Sequence, residues 1–503
     1  MNNRVIIIKG KDYSNYTTIC DEQDENIVKD FLANLNSSIN EKLIINYNPL
    51  GRKESDKFSI LMKDEEMRLN GIIGTYRDKN YLDKYDIKLQ ITSRFDNPDR
   101  PFFMAEMMRC YVEERYGLRL TDSDIPPEQD DLFEFLKICI FRQKLIAAYE
   151  KGFYKKYTYF KKNDARLRGR IDISRHIQEN MGMKNGRVAY EYRENTVDNP
   201  INHLILRTYD ELKKAYPSET KAILDQTDVA NENALSIIKS LAYSAPGYQE
   251  GSINDIVKNA RLQVTHPYFT EYEELRKSCI EILSDMDISL YTENEEPTED
   301  EVQSMLFYVP DLWEVYLTKI LKQGLQDTKY EIKEQERVSP IKIRDRRTID
   351  PVQQGVHIDG DYSDYTKDDD KHKWKPDFVL KDKDGVIAVL DAKFKPGWTL
   401  AEKQSYSEYI QVDIAKCIAY ASIEGTKITG TLFPIDTASS KCNDKVTRVD
   451  HYTLGERDDM HFLACGIKIP EVNEDFADWQ KRMNESVNQL ILLIKSIIEN
   501  QNP

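Results

Sequence analysis

An α+β multidomain protein is what this 503-residue sequence predicts, in three parts. Residues 1–125 read as a mixed α/β amino-terminal region for docking a partner, 126–292 as a basic and helical middle region, and 302–503 as a carboxy-terminal α/β domain. Three observations support this division. The segment IKLQITS (87–93) alternates apolar and polar side chains as a half-buried strand does. Residues 129–151 place Leu132, Phe135, Leu136, Cys139, Ile140, Leu145 and Ile146 on one side of a helix, and 200–245 and 269–284 also read as helical. Residues 374–398 (WKPDFVLKDKDGVIAVLDAKFKPGW) read as two short apolar strands joined by a polar turn.

Taken in order, Val5–Ile8 predicts an edge or first strand, since MNNRVIIIKGKDYSN has no signal-peptide cleavage pattern. Pro101–Val112 begins a helix, and Pro126-Pro127 separates it from the next. Residues 293–301 (ENEEPTEDE) are acidic, contain a proline and lack apolar residues, which marks a linker. A helix is expected over about 304–325, a polar loop over 359–373, helices over 404–423 and 475–500, and a strand over 429–435.

Hydrophobic residues make up 40% of the chain, enough to fill cores, and 10% aromatics argue against disorder. The longest apolar runs are too short for a bilayer, so no membrane partner is expected. Seven scattered cysteines without a C-x-x-C read as reduced core residues of a cytoplasmic protein. His461 and Cys465 are four apart, but no second pair joins them to complete the four ligands of structural zinc.

The net charge of −16 argues against nucleic acid until its distribution is considered. Residues 151–187 hold eleven Lys/Arg against three acids, a local +8 that leaves −24 for the rest. Lys161, Lys162, Arg166, Arg168, Arg170 and Arg175 lie there, with Tyr157, Tyr159 and Phe160 interleaved. Such a segment suits a nucleic-acid backbone, an acidic partner surface, or simply a solvated face.

The hairpin at 374–398 carries the chemistry. Phe378–Leu380 and Val386–Leu390 are its strands, and Asp384-Gly385 is a strong turn signal. Folding back brings Asp377, Asp391 and Lys393 to one end, with Asp391 and Lys393 on one face because they are two apart. Two carboxylates beside an ammonium are costly to bury unless they hold something. Mg²⁺ (or Mn²⁺) is the natural guest, with Asp377, Asp391 and the backbone carbonyl of Ala392 as ligands. Lys393 then orients water or offsets charge, which is equipment for phosphodiester hydrolysis. The competing reading is a solvated hairpin end. The apolar strands on both sides and the turn between them weigh against it. On the following helix Lys416 and Tyr420 share a face. Strand, strand, helix, strand after an opening helix is the core order of the PD-(D/E)xK restriction-endonuclease-like fold.

Beyond the hairpin, the chain resembles the McrC family, the nuclease subunit of McrBC-type, modification-dependent restriction systems. Arg166-Leu-Arg-Gly-Arg-Ile-Asp172 resembles the family's L-R-G-R-I-D segment, and Asn195–Asn202 followed by His203-Leu-Ile-Leu resembles its T-x-E-N-x-x-L-K region. Leu312-Trp-Glu314 resembles its apolar-F-E element, and residues 87–107 its amino-terminal strand and helix. One departure stands out. Where the family carries Q-x-x-x-Y, this chain has Lys416 and Tyr420, while Gln411 lies five residues earlier. The resemblance implies a Mg²⁺-dependent endodeoxyribonuclease of antiviral defence, with Glu314 and Tyr420 as supporting residues, while Lys416 could reach a phosphate as a point charge in place of the amide. It also implies a partner, a hexameric McrB-like AAA+ GTPase or ATPase that the chain docks on and stimulates. The chain has no G-x-x-x-x-G-K-[ST] of its own. The rival expectations are a stand-alone RecB-like repair nuclease and a non-catalytic activator of the AAA+ partner.

Overall fold

The computed structural model describes residues 4–14, 16–19, 24–42, 61–63, 66–68, 71–97, 100–120, 129–181, 185–227, 233–248, 261, 263–286, 302–326, 328–334, 345–349, 356–360, 375–394, 408–435, 446–454, 457–473 and 475–501. The expected linker at 293–301 lies outside them, as do 361–373 of the expected loop and 404–407 of the expected helix.

The amino-terminal part contains β1 (Arg4–Lys11), β2 (Tyr16–Ile19), α1 (Glu25–Lys42), β3 (Leu61–Lys63), β4 (Glu66–Arg68), β5 (Ile72–Tyr81) and β6 (Tyr85–Thr92). Alternation on β6 buries Ile87, Leu89 and Ile91, and Ile6 and Ile8 of β1 join them. Helix α1 closes this core with Val28, Phe31, Leu32 and Leu35. Strands β1 and β6 run parallel, so β1 is an interior strand with β2 on its other side.

Next come α2 (Phe102–Tyr116), α3 (Gln129–Tyr149), β7 (Lys156–Asp164), β8 (Arg170–Ile171), α4 (Ile173–Asn180) and β9 (Val188–Thr196). Helix α2 starts where Asp96 accepts the amides of Phe103 (2.8 Å) and Met104 (3.1 Å), and it ends at left-handed Gly117. The basic segment is a three-stranded sheet in the order β7-β9-β8 with α4 against β9. Helices α5 (Pro200–Ala215), α6 (Pro217–Leu224), α7 (Ala234–Ser244) and α8 (Thr270–Asp285) build the helical middle, packing with α3.

Strand β10 (Val302–Tyr308) then pairs antiparallel with β5, completing a five-stranded sheet in the order β10-β5-β6-β1-β2. Residues 304–308 were expected to be helical. They are strand because Gly74 leaves room for them: its φ is +127°, and a Cβ there would lie 1.8 Å from the Met305 carbonyl oxygen. Helix α9 (Val309–Leu325) follows β10 without a connector, so the 302–503 region begins inside the amino-terminal sheet. Its second sheet has the order β11-β14-β15-β16-β18-β17, formed by β11 (Glu331–Glu334), β14 (Phe378–Asp382), β15 (Gly385–Ala392), β16 (Ile428–Ile435), β17 (Arg448–Leu454) and β18 (Arg457–Lys468). A separate hairpin pairs β12 (Asp345–Ile349) with β13 (Val356–Gly360), so Asp359 and Gly360 of the expected loop are strand.

Helix α10 (Glu408–Glu424) connects parallel strands β15 and β16, and α11 (Phe476–Gln501) closes the chain. The sheet is covered on both faces. Phe378, Leu380, Leu390 and Leu432 join the large core with α9 and α11, while Val379 and Val389 pack against Tyr420 of α10.

Candidate active site

Strands β14 and β15 form the hairpin read from the sequence, with Phe378 opposite Leu390. That register places Asp377 across from Asp391 at one end. Asp391 continues the Val389 face, toward α10. Both carboxylates are buried, Asp391 at 0% and Asp377 at 5% exposure. Asp377 Oδ2 accepts the Ala392 amide at 2.7 Å, which ties the two strand ends together. Lys393 Nζ is in direct ion-pair contact with Asp391 Oδ2 and lies 3.5 Å from Asp413 Oδ1. Lys416 Nζ stands 3.7 Å from Asp391 Oδ1.

The charges are strongly coupled. Burial pushes the Asp377 carboxyl well above the usual carboxylate range, and the negative charges of Asp391 and Glu314 add to the rise. Burial would raise Asp391 as well, but Lys393 and Lys416 hold it below that range. Burial disfavours the Lys393 ammonium, yet Asp391, Asp413 and Asp377 keep its pKa above the ordinary lysine value. Lys416 is raised in the same way, chiefly by Asp391 acting against burial.

Both oxygens of Asp391 are buried, Oδ2 against the Lys393 ammonium and Oδ1 facing that of Lys416. What they face is positive charge. A buried carboxylate next to a second buried carboxylate fits a hard cation that keeps several waters. Among the described residues no group of three or more His, Cys, Asp or Glu stands together for a metal ion. Mg²⁺ commonly binds through one or two carboxylates, and that pattern is what Asp377 and Asp391 present.

Most of the residues singled out in the sequence converge. Asp377, Asp391, Lys393 and Lys416 form one cluster, with Ala392 inside it. Glu314, half-buried on α9, is felt electrostatically at Asp377. Tyr420 is buried between Val379 and Val389, donates to the Lys375 carbonyl at 3.2 Å, and lies under Lys416 Nζ at 5.3 Å from its ring centroid. Burial raises its phenol. Gln411 is exposed on the same helix. Asp413 had no assigned role in the sequence, although it lies one helical turn before Lys416. It is 5% exposed and completes the shell around Lys393.

The basic segment lies apart from this cluster. Lys161, Lys162, Arg166, Arg168 and Arg170 are exposed. Arg175 differs: its guanidinium donates to the carbonyls of Lys162 (2.6 Å) and Tyr190 (3.0 Å), so it braces the small sheet. Leu167, Ile171, Ile173, Ile177 and Met181 are exposed beside the arginines. His461 pairs with His451, Nδ1 to Nε2 at 3.0 Å, and Cys465 is a buried free thiol.

A model of the family described as McrBC 5-methylcytosine restriction system component matches residues 68–434, from the end of β4 to the penultimate residue of β16. Among solved structures, the chain is similar to one in a refined half-complex from the tetradecameric assembly of Thermococcus gammatolerans McrB AAA+ hexamers with bound McrC. Identity there is 15% and the TM-score 0.48, over 96% of this chain and 100% of that one. It is also similar to a chain of the Thermococcus gammatolerans McrBC complex seen by cryo-electron microscopy, at 13% identity and TM-score 0.29, over 65% of this chain and 89% of that one. No curated protein matches the chain.

Proposed function

This chain belongs to the family of McrBC 5-methylcytosine restriction system components, and on that premise we propose that it is the Mg²⁺-dependent DNA endonuclease subunit of an McrBC-like antiviral restriction complex. The observation that carries the proposal is the state of Asp391: fully buried, opposite the second buried carboxylate of Asp377 and flanked by the ammoniums of Lys393 and Lys416. Two carboxylates buried side by side are costly for a purely structural ion pair and fit a site that holds a cation. The sheet order, with the hairpin followed by a helix and a parallel strand, supports a PD-(D/E)xK-type domain.

In this reading Asp377 and Asp391, with the Ala392 carbonyl, hold Mg²⁺ or Mn²⁺. The cation supplies Lewis acidity toward a phosphodiester oxygen. Lys393 keeps its proton, because Asp391 and Asp413 hold it, and so presents a fixed positive charge where negative charge develops. Asp413, at 3.5 Å, is the second carboxylate that holds that ammonium. Lys416, on a surface-facing stem, is placed to meet a DNA phosphate as a point charge in place of an amide. Glu314 is a further candidate ligand. Tyr420 locks α10 to the start of the hairpin.

The proposed partner is a hexameric McrB-like AAA+ NTPase. Two features support it beside family membership. The sequence has no phosphate-cradling P-loop. The exposed module of β7, β8, β9 and α4 also mixes arginines with apolar side chains, which suits a protein surface better than bare phosphate. No described helix is long and apolar enough to cross a membrane, and a cytoplasmic location belongs to the same proposal. The test is the full-length Asp391→Asn variant mixed with its AAA+ partner. It should stimulate nucleotide turnover as the wild type does while cutting no DNA. Loss of stimulation together with cutting would contradict this division of labour.

A further inference from the structure

Phe394 follows Lys393 directly, and its ring is 3% exposed. It sits among aromatic side chains that come mostly from the amino-terminal part. Phe103 stacks on it at 6.2 Å and 12°, with Phe95 at 6.0 Å, Tyr13 at 6.3 Å and Trp313 at 6.0 Å. One cation lies in this ring cluster. The Arg94 guanidinium carbon is 4.4 Å from the Phe394 centroid, 4.5 Å from that of Phe95 and 5.1 Å from that of Tyr13.

Arg94 is itself held in place. Its Nη1 donates to Asp12 Oδ2 at 2.7 Å, and its backbone N–H donates to Asp12 Oδ1. The pair is buried, at 9% and 0% side-chain exposure. Nε and Nη2 of Arg94 are buried with no acceptor among the described residues, so what covers them is ring surface. A guanidinium tolerates this because its charge is delocalised and weakly hydrated. Asp12 and Arg94 lie just past the ends of β1 and β6, which are parallel neighbours with Lys11 opposite Thr92. Between them Tyr13 has φ of 55°, a conformation that a bulky residue keeps only where its surroundings enforce it.

From the other side, the Lys393 amide donates to the Leu432 carbonyl at 2.8 Å, and Trp313 Nε1 donates to the same oxygen at 3.3 Å. The β15 ladder ends at Ala392. Beyond it, the direction of the Lys393 side chain depends on how its backbone and the next side chain are held.

We propose that Arg94 is a positioning residue for Lys393: through Phe394 it lets the amino-terminal sheet set the placement of the ammonium beside Asp391. The functional meaning rests on the nuclease reading above, but the placement can be measured without it. Removing Arg94 alone would take the guanidinium from the buried Asp12 charge and put folding at risk. The variants are therefore the double Asp12→Asn/Arg94→Met, which removes both charges, and Phe394→Leu, which removes the ring. Full-length proteins are treated with an amine-acetylating reagent, and modification of each lysine is read by peptide mass spectrometry. Lys319 is the internal control, since its side chain is also 11% exposed and ion-paired, to Glu113 of α2.

The expected result is severalfold faster modification of Lys393 in both variants, with Lys319 as protected as in the wild type. Unchanged protection of Lys393, or equal loss at both lysines, would overturn the proposal. Single-turnover DNA cleavage with Mg²⁺ and the AAA+ partner should fall on the order of 10- to 100-fold with KM unchanged, as small misplacements of catalytic groups do. Lys393 released from protection with cleavage intact would support the positioning and count against a catalytic role for Lys393, so the two readings fail separately.

Discussion

The Lys416 ammonium stands 3.7 Å from Asp391 Oδ1, while Lys393 contacts the other oxygen. Asp391 thus lies between two cations, and the second comes from the helix position where the resembled family carries glutamine. A cation beside a carboxylate competes with Mg²⁺ for it. Lys416 is 40% exposed, so the lower end of the Coulomb range applies, about 1 kcal/mol. The Lys416→Gln variant should therefore reach half-maximal cleavage at a severalfold lower Mg²⁺ concentration and keep measurable activity. A Mg²⁺ titration of cleavage checks this, and an unchanged midpoint would mean that Asp391 does not feel the Lys416 charge during turnover.

Lys393→Met should destabilise the fold by about 3–5 kcal/mol, because it leaves Asp391 and Asp413 buried without their shared cation. Urea denaturation measures the loss. Adding Asp413→Asn to the variant should restore part of it. A single variant as stable as the wild type would show that Lys393 is not held in the geometry described.

Replacing Arg166, Arg168 and Arg170 with Ala should abolish stimulation of the AAA+ partner and leave the salt dependence of DNA binding unchanged. The exposed apolar side chains next to these arginines point to a protein surface. If the three instead contact phosphates, the log–log salt slope should fall by about three units. Binding measured at several salt concentrations separates the two cases.

The His451–His461 pair predicts a pH dependence. Burial and the neighbouring imidazole lower His451 below the usual 6.5. A base with a folded-state pKa below its unfolded value contributes stability above the unfolded value, and loses it as pH falls through the folded value. The β17–β18 hairpin should therefore weaken in mildly acidic solution. Denaturation midpoints at pH 5 and pH 8 should differ less in His451→Gln than in the wild type. Equal pH sensitivity in the two proteins would refute the assignment.

Local signals made the hairpin legible. Two apolar runs and an Asp-Gly turn fix a register, and that register alone brings Asp377, Asp391 and Lys393 to one end. Helical spacing then placed Lys416 and Tyr420 together. Contacts between segments far apart in the chain left no such mark. Asp413 approaches Lys393 only once β15 and α10 are packed, and Arg94 meets Phe394 across 300 residues of sequence. Residues 304–308 read as helix because a short apolar run carries no decisive period. Their partner strand, with Gly74 where a side chain would collide, is set by tertiary contact.

In the proposed function Asp391 belongs to a cation-dependent DNA-cutting centre. Its most direct test is single-turnover cleavage of DNA by the full-length wild type and Asp391→Asn, each with the AAA+ partner and Mg²⁺. The wild type should cut only when Mg²⁺ or Mn²⁺ is present. The variant, with the same shape but without the charge, should be slower by on the order of 10³-fold or more. Cleavage by Asp391→Asn at the wild-type rate, or by the wild type with divalent cations chelated, would contradict it.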